Sequence, residues 1–205
     1  MREGLTVVCI SRTAGANGEA IGWLVAQRLG LPYVDDEIID LAAEQAGIDP
    51  ALVVEAEDPK PLVTRLLDAI DSLGTPRART AGWFARPSRA SLRTLIRDTV
   101  VRVAERGPAV IVAHAASMAL GPRPGVLRVL VTGSPDARTE RLHAVGLSAK
   151  DAQVSIEESD HSRQQYLQHF YGVSEERPTH YDLVINTDRL DLERGVAAIL
   201  ACLDG

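Results

Sequence analysis

LTVVCISRTAGANGEAIGWLVAQRLGLP, residues 5–32, decides the fold. LTVVCI (5–10) is a short β-rich run, and SRTAGANG (11–18) is polar and glycine-bearing. That order reads as a buried strand entering a loop. Ile21, Leu24, Val25 and Leu29 then recur at helical spacing, and Gly30 and Pro32 end the pattern, which predicts a helix over 19–29. Gly15 and Gly18 let the backbone turn sharply and approach a ligand. The helix that follows turns its free N–H groups and positive dipole end toward the loop, so the unit is able to cradle a phosphate. The candidate contacts are Ser11, Arg12, Thr13, Gly15, Ala16, Asn17, Gly18, Glu19 and Ala20. The full signature G-x-x-x-x-G-K-[ST] is not satisfied. With Gly15 as an internal glycine, Asn17 takes the last glycine position and Gly18 the lysine position, and Glu19 and Ala20 follow in place of a hydroxyl. Positive charge must come from Arg12 or from arginines elsewhere. Glu19 suits a metal or, more simply, the helix N-terminus. Asp35 lies twenty residues after Gly15, as a ribose-binding acid would in a dinucleotide site. The loop alone therefore fits phosphate binding, dinucleotide binding and a plain tight turn equally.

Outward from this unit, strands and helices alternate. Tyr33-Val34 leads into the acids Asp35-Asp36-Glu37, and 37–47 has helical character. AVIVA (109–113), VLRVLVT (126–132) and YDLVINT (181–187) read as three more strands. Ser134-Pro135-Asp136 starts a helix, with proline in its first turn. Residues 148–171 are polar and helical, and a closing helix spans about 191–203. This alternation predicts an α/β protein with a mainly parallel five-stranded sheet between two helical layers. The expected organisation is one domain over 1–205, with an insertion at 48–106 and a lid at 147–172. In such sheets ligands gather at the carboxyl ends of the strands.

Composition narrows the function classes. The chain has 205 residues, 45% of them hydrophobic but only 4% aromatic, so aliphatic side chains must fill the core. A net charge of −6 argues against a general nucleic-acid binder. No stretch reaches the roughly 20 apolar residues of a membrane span, and the N-terminus lacks a signal-peptide layout. A cytoplasmic protein is expected. Cys9 and Cys202 have no metal or disulfide spacing, and read as free thiols in a reducing compartment. Residues 35–71 carry eleven acids and two bases, whereas 75–106 carry eight arginines. A local arginine cluster in an acidic protein suits a small anionic ligand, and also suits a solvated helix face.

The whole chain resembles the cytidylate-kinase-like family of P-loop proteins. The resemblance rests on ISRTAGANGEAIGWLVAQRLGLPYVDDEII (10–39), GPAVIVAHAA (107–116), LRVLVTGSPDARTERL (127–142) and, most specifically, SDHSRQQYLQHFYGVSEERPTHYDLVINTDRLDLERGV (159–196). It covers about 1–47 and 107–205 and fades in the insertion. It implies a P-loop NTPase-like three-layer fold, an acceptor-binding helical insertion, an arginine-bearing lid, and ATP with Mg2+. The implied activity is phosphoryl transfer to a nucleoside monophosphate such as CMP or dCMP. Nucleotides would be the partners, and a homo-oligomer is compatible. The family's loop also lacks the usual lysine. Two departures concern the phosphate contacts: Ala113-His114-Ala115 replaces a typical Gly-Arg-Gly, and Asp160-His161-Ser162-Arg163 replaces Asp-Arg-x-Arg. A guanidinium is permanently charged and grips phosphate with two bonds, whereas histidine is mostly neutral near pH 7. These changes also fit a second reading, a catalytically inactive nucleotide-binding regulator.

On this resemblance Arg163, Arg138 and Arg141 are the candidate catalytic residues. Arg163 is the retained lid arginine, and the other two sit at i and i+3 on the helix entering the lid. Surface ion pairs are the plainer alternative for Arg138 and Arg141. Asp35 matches an aspartate that positions the acceptor nucleotide, and equally suits a helix cap. His114 and His161 occupy altered phosphate-contact positions. A core histidine and an exposed helix residue are their respective alternatives. Arg86 and Arg89 flank Trp83-Phe84, forming a base-stacking and phosphate-binding patch or ordinary packing of the insertion. No metal-ligand set is evident.

Overall fold

The computed structural model describes residues 7–35, 89–113 and 115–204, with the side chains of 89–96 and 204 outside that description. Five strands form the sheet: β1 (Val7–Arg12), β2 (Tyr33–Val34), β3 (Ala109–Val112), β4 (Val126–Thr132) and β5 (Leu183–Asn186). Their order is β2-β3-β1-β4-β5 and every pairing is parallel. The predicted class is therefore the observed one. Six α-helices connect the strands among the described residues: α1 (Gly18–Leu29), α2 (Arg89–Glu105), α3 (Ala116–Leu120), α4 (Pro135–Ala144), α5 (Ala149–Tyr171) and α6 (Leu192–Asp204).

Period-two alternation in β1 makes the layers. Val8 and Ile10 enter a core with Ile21 and Val25 of α1 and Val196 and Ile199 of α6. Val7 and Cys9 enter the opposite core with Val100 and Val103 of α2 and Ala119 and Leu120 of α3. The sheet is thus buried on both faces, which explains why its central strands read as unbroken aliphatic runs. Gly22 lets α1 settle onto the sheet, because a Cβ there would stand 2.4 Å from Val112 Cγ2.

Helix ends follow their sequence signals. Gly30 closes α1 in the left-handed region, at φ 64°. Ser134 caps α4 by accepting from the Ala137 amide, with Pro135 at the first position. Ser148 caps α5 by accepting from the Asp151 amide. Two elements differ from expectation. β5 starts at Leu183, two residues late; just before it the Asp182 amide donates to Arg128 O and the Asp182 carboxylate pairs with Arg128, at 2.7 Å from Nη2. The short helix α3 was not expected, since five residues are too few to show a period. The helix expected at 37–47 and most of the insertion lie outside the described residues. Among the described residues no helix is long and apolar enough to cross a membrane.

Candidate active site

β1 runs from the hydrophobic core directly into the loop at 13–17, which lies at the carboxyl edge of the sheet. The Thr13 amide continues the ladder by donating to Val131 O, and the Ala16 amide closes a turn onto Thr13 O. Gly15 has φ 72° and Asn17 φ 62°, both left-handed. Asparagine tolerates this region better than most side chains, so the replaced glycine keeps its backbone shape. The first helical bond of α1 runs from the Ile21 amide to Asn17 O. Among the described residues, the amides of Ala14, Gly15, Asn17 and Gly18 have no protein acceptor. Successive amides around left-handed residues form an anion-binding concavity.

Three arginines hold the loop by its carbonyl oxygens. Arg163 Nη1 donates to Arg12 O at 3.1 Å, Arg138 Nη1 to Ala14 O at 3.2 Å, and Arg141 Nη1 to Gly15 O at 3.1 Å. Gly15 is needed for this closeness as well as for its φ, because a Cβ would lie 3.0 Å from Arg138 O. All three candidate catalytic residues therefore converge on the predicted loop, and each is already engaged. Arg138, 3% exposed, forms a fork with Asp160 at 2.9 and 2.6 Å and also donates to Gly133 O. Arg163, 5% exposed, forms a second fork with Glu176, and Tyr181 also donates to Glu176. Burial works against the Arg163 charge, but its hydrogen bond and attraction to Glu176 prevail and raise its pKa. Burial likewise opposes ionisation of Glu176, and Arg163 overcomes it, leaving that carboxyl below its usual range. Arg141 bridges Gly15 O to Thr187 O, and among the described residues no carboxylate pairs with it.

Arg12 and Glu19 pair across the start of α1, with Arg12 Nε 2.5 Å from Glu19 Oε1. The N–H is not aimed at that oxygen, so this buried Nε makes no aligned hydrogen bond among the described residues. Ser11 donates to Ser117 beneath the loop, at 3.0 Å. Asp35 accepts from Tyr33 Oη at 2.9 Å. Burial chiefly raises its pKa, while Arg12 lowers it and Glu19 raises it, which places Asp35 within electrostatic reach of the loop. Ala16 is buried and Ala20 exposed. His161 is exposed on α5, with Nε2 2.9 Å from Gln165 Nε2. Arg89 opens α2, with its side chain outside the described residues; Arg86 and His114 lie wholly outside them.

Two cavities flank the loop. One of about 300 Å3 is lined by Thr13, Thr132, Arg138, Asp160, Arg163 and Glu176 among others. The Thr13 hydroxyl donates to that of Thr132 at 3.3 Å. The other, about 530 Å3, sets Arg12 against Glu19, Asp151 and Glu158, with no other cation in its lining among the described residues. Sequence reasoning did not find the Asp160 fork, Glu176, Tyr181 or the threonine pair. The partners of Arg138 and Arg163 lie 22 and 13 residues away, beyond any helical spacing. Among the described residues no group of three or more His, Cys, Asp or Glu is placed to hold a metal.

A parallel sheet of order β2-β3-β1-β4-β5, with a glycine loop between its central strand and α1, defines a kinase-like protein of the P-loop kinase type. The chain belongs to the cytidylate kinase-like family, whose sequence model matches residues 7–189. Its fold is similar to that of an uncharacterized protein from Eubacterium ventriosum, with a TM-score of 0.66 at 16% identity, covering 98% of this chain and 99% of that one. It is also similar to shikimate kinase from Bacteroides thetaiotaomicron, at 0.55 and 18%, covering 98% and 99%. Deoxyadenosine kinase from M. mycoides, solved with bound dATP, gives 0.51 and 12%, covering 98% and 100%. Comparison with curated protein sequences gives no match.

Proposed function

We propose that this protein binds ATP through residues 11–20 and transfers the γ-phosphoryl group to a nucleoside monophosphate, with CMP or dCMP the first candidates. The observation that carries the proposal is the left-handed Gly15/Asn17 loop, whose amides at Ala14, Gly15, Asn17 and Gly18 have no acceptor among the described residues. Such amides and a helix N-terminus favour phosphate oxygens. Family membership supplies the reaction class. An oxygen of the acceptor phosphate attacks the γ-phosphorus in line and ADP leaves, so catalysis consists of positioning and charge stabilisation. In this scheme the loop amides hold the polyphosphate, Asp35 orients the acceptor, and the segment 147–172, which carries α5, is the lid that excludes water. Magnesium accompanying ATP takes most of its ligands from phosphate oxygens and water. Glu19 and Asp35 are the carboxylates proposed for the loop's side of the site, and Glu19 is already held by Arg12.

A second reading, nucleotide binding without turnover, is favoured by the commitment of Arg138, Arg141 and Arg163 to loop carbonyls and, for Arg138 and Arg163, to carboxylates as well. Calorimetric titration with ATP and magnesium, followed by an ADP-release assay over CMP, dCMP, UMP, AMP and GMP, separates the two. Release that depends on one monophosphate supports the kinase. Binding with no release on any of them supports the regulator. An absence of binding at millimolar ATP removes both.

A further inference from the structure

Asp160 occupies the arginine fork that a phosphate would use. Its two oxygens meet Arg138 Nη1 and Nη2 at 2.9 and 2.6 Å, the fork geometry by which a guanidinium holds either a carboxylate or a phosphate. Three observations make this fork exchangeable. Arg138 is nearly fully buried and also fixed by Gly133 O and Ala14 O, so it stays in place if Asp160 leaves. The Asp160 side chain is 39% exposed and has room to swing into water. Both residues line the 300 Å3 cavity, which also presents the Thr13 and Thr132 hydroxyls beside the loop. The Arg163 fork differs. Glu176 is only 17% exposed and is also held by Tyr181, so that pair is anchored.

We infer that Asp160 is a built-in competitor for phosphate. The polyphosphate tail of a nucleotide binds Arg138 by displacing the Asp160 carboxylate into solvent, while the Arg163–Glu176 fork stays closed. This rests on the nucleotide-binding reading and adds to it a regulatory anion carried by α5. The acidic cavity on the other side of the loop repels the same tail, which leaves the guanidinium side as its destination.

The test measures the affinity of the full chain for ATP and for inorganic tripolyphosphate by calorimetry at 0.15 M salt, in the wild type, Asp160→Asn and Glu157→Gln. Glu157 is an exposed acid one turn away on α5 that pairs with Gln153, not with an arginine. Removing the competitor should tighten both ligands by about fivefold in Asp160→Asn, the upper end of what losing one partly exposed ion pair gives, and leave Glu157→Gln within about twofold. Equal affinity in the wild type and Asp160→Asn overturns the inference and leaves nucleotide binding intact. So does equal tightening in Glu157→Gln, since the effect would then be bulk charge. If neither protein binds either ligand, both readings fall. Should Asp160→Asn fail to fold, the wild type supplies the answer through the 13C resonance of the Asp160 carboxyl. Ligand should move it to the position of a free aspartate, and a resonance unmoved at saturation overturns the inference.

Discussion

Glu176→Gln is the most demanding single perturbation of this site. Arg163 is 5% exposed and donates twice to Glu176, once to Arg12 O and once toward Tyr181. Glutamine preserves the shape and one acceptor oxygen but removes the charge that offsets burial of the guanidinium. Losing one partner of a buried pair costs about 3–5 kcal/mol, and the retained amide oxygen puts the expectation at the low end, about 3 kcal/mol. For a domain of this size each kcal/mol corresponds to roughly 2–4 °C. The melting temperature should therefore fall by about 6–12 °C at pH 7. The pH dependence adds a second constraint. The folded Glu176 pKa lies below its ordinary 4.5, so its contribution is complete above that value and is lost as pH falls through the folded pKa. The gap between wild type and variant should thus be widest near neutrality and close in acid. Arg28→Gln is the control. Its pair with Glu193 is exposed on both sides, so melting should shift by no more than about 2 °C. Differential scanning calorimetry from pH 3 to 8 measures all of this. A Glu176→Gln shift no larger than the Arg28→Gln shift, or a gap that does not narrow as the pH falls from 5 to 3, refutes the argument that this fork anchors the loop.

Other outcomes follow from the same geometry. Gly22→Ala should lower stability by about 1–3 kcal/mol in urea unfolding despite alanine's helix preference, because its Cβ would stand 2.4 Å from Val112 Cγ2. Gly15→Ala meets a left-handed φ of 72°, a cost of about 1–2 kcal/mol, and an Arg138 O 3.0 Å away; calorimetry should show ATP binding weakened by more than the melting shift alone explains. Burial pushes the Cys9 thiol up to about 12, whereas Cys202 is exposed. A thiol reagent at pH 8 should therefore count one reactive cysteine in the native chain and two after unfolding.

The sheet was legible because its central strands are buried on both faces: 7–10, 109–112 and 129–131 are apolar runs within segments bounded by Gly, Pro or polar residues. The caps at Gly30 and Ser134 were legible because helix ends demand them locally. The strand order was not, since parallel neighbours such as Val7 and Ala109 are joined by crossovers that leave no local mark. At the site, the sequence marked the loop and the three arginines as candidates for phosphate contact, with ion pairs as the alternative for Arg138 and Arg141. The structure shows the three arginines bonded to Arg12, Ala14 and Gly15 oxygens. A main-chain acceptor has no side-chain identity to read, and the opposing carboxylates Asp160 and Glu176 reach the arginines only through tertiary packing of α4, α5 and the segment before β5.

That mode of attachment bears on how loops of this kind change over generations. Every amino acid carries a peptide oxygen, so a clamp that closes on those oxygens makes little demand on the side chains at positions 12 and 14, while Gly15 is held to glycine by its φ and its closeness to Arg138. The constraint passes to the clamp itself, two guanidinium–carboxylate couples and one arginine that, among the described residues, meets carbonyl oxygens alone. A search for distant kin would do better to look for those five side chains at their mutual distances than for a glycine-lysine spelling this chain has shed.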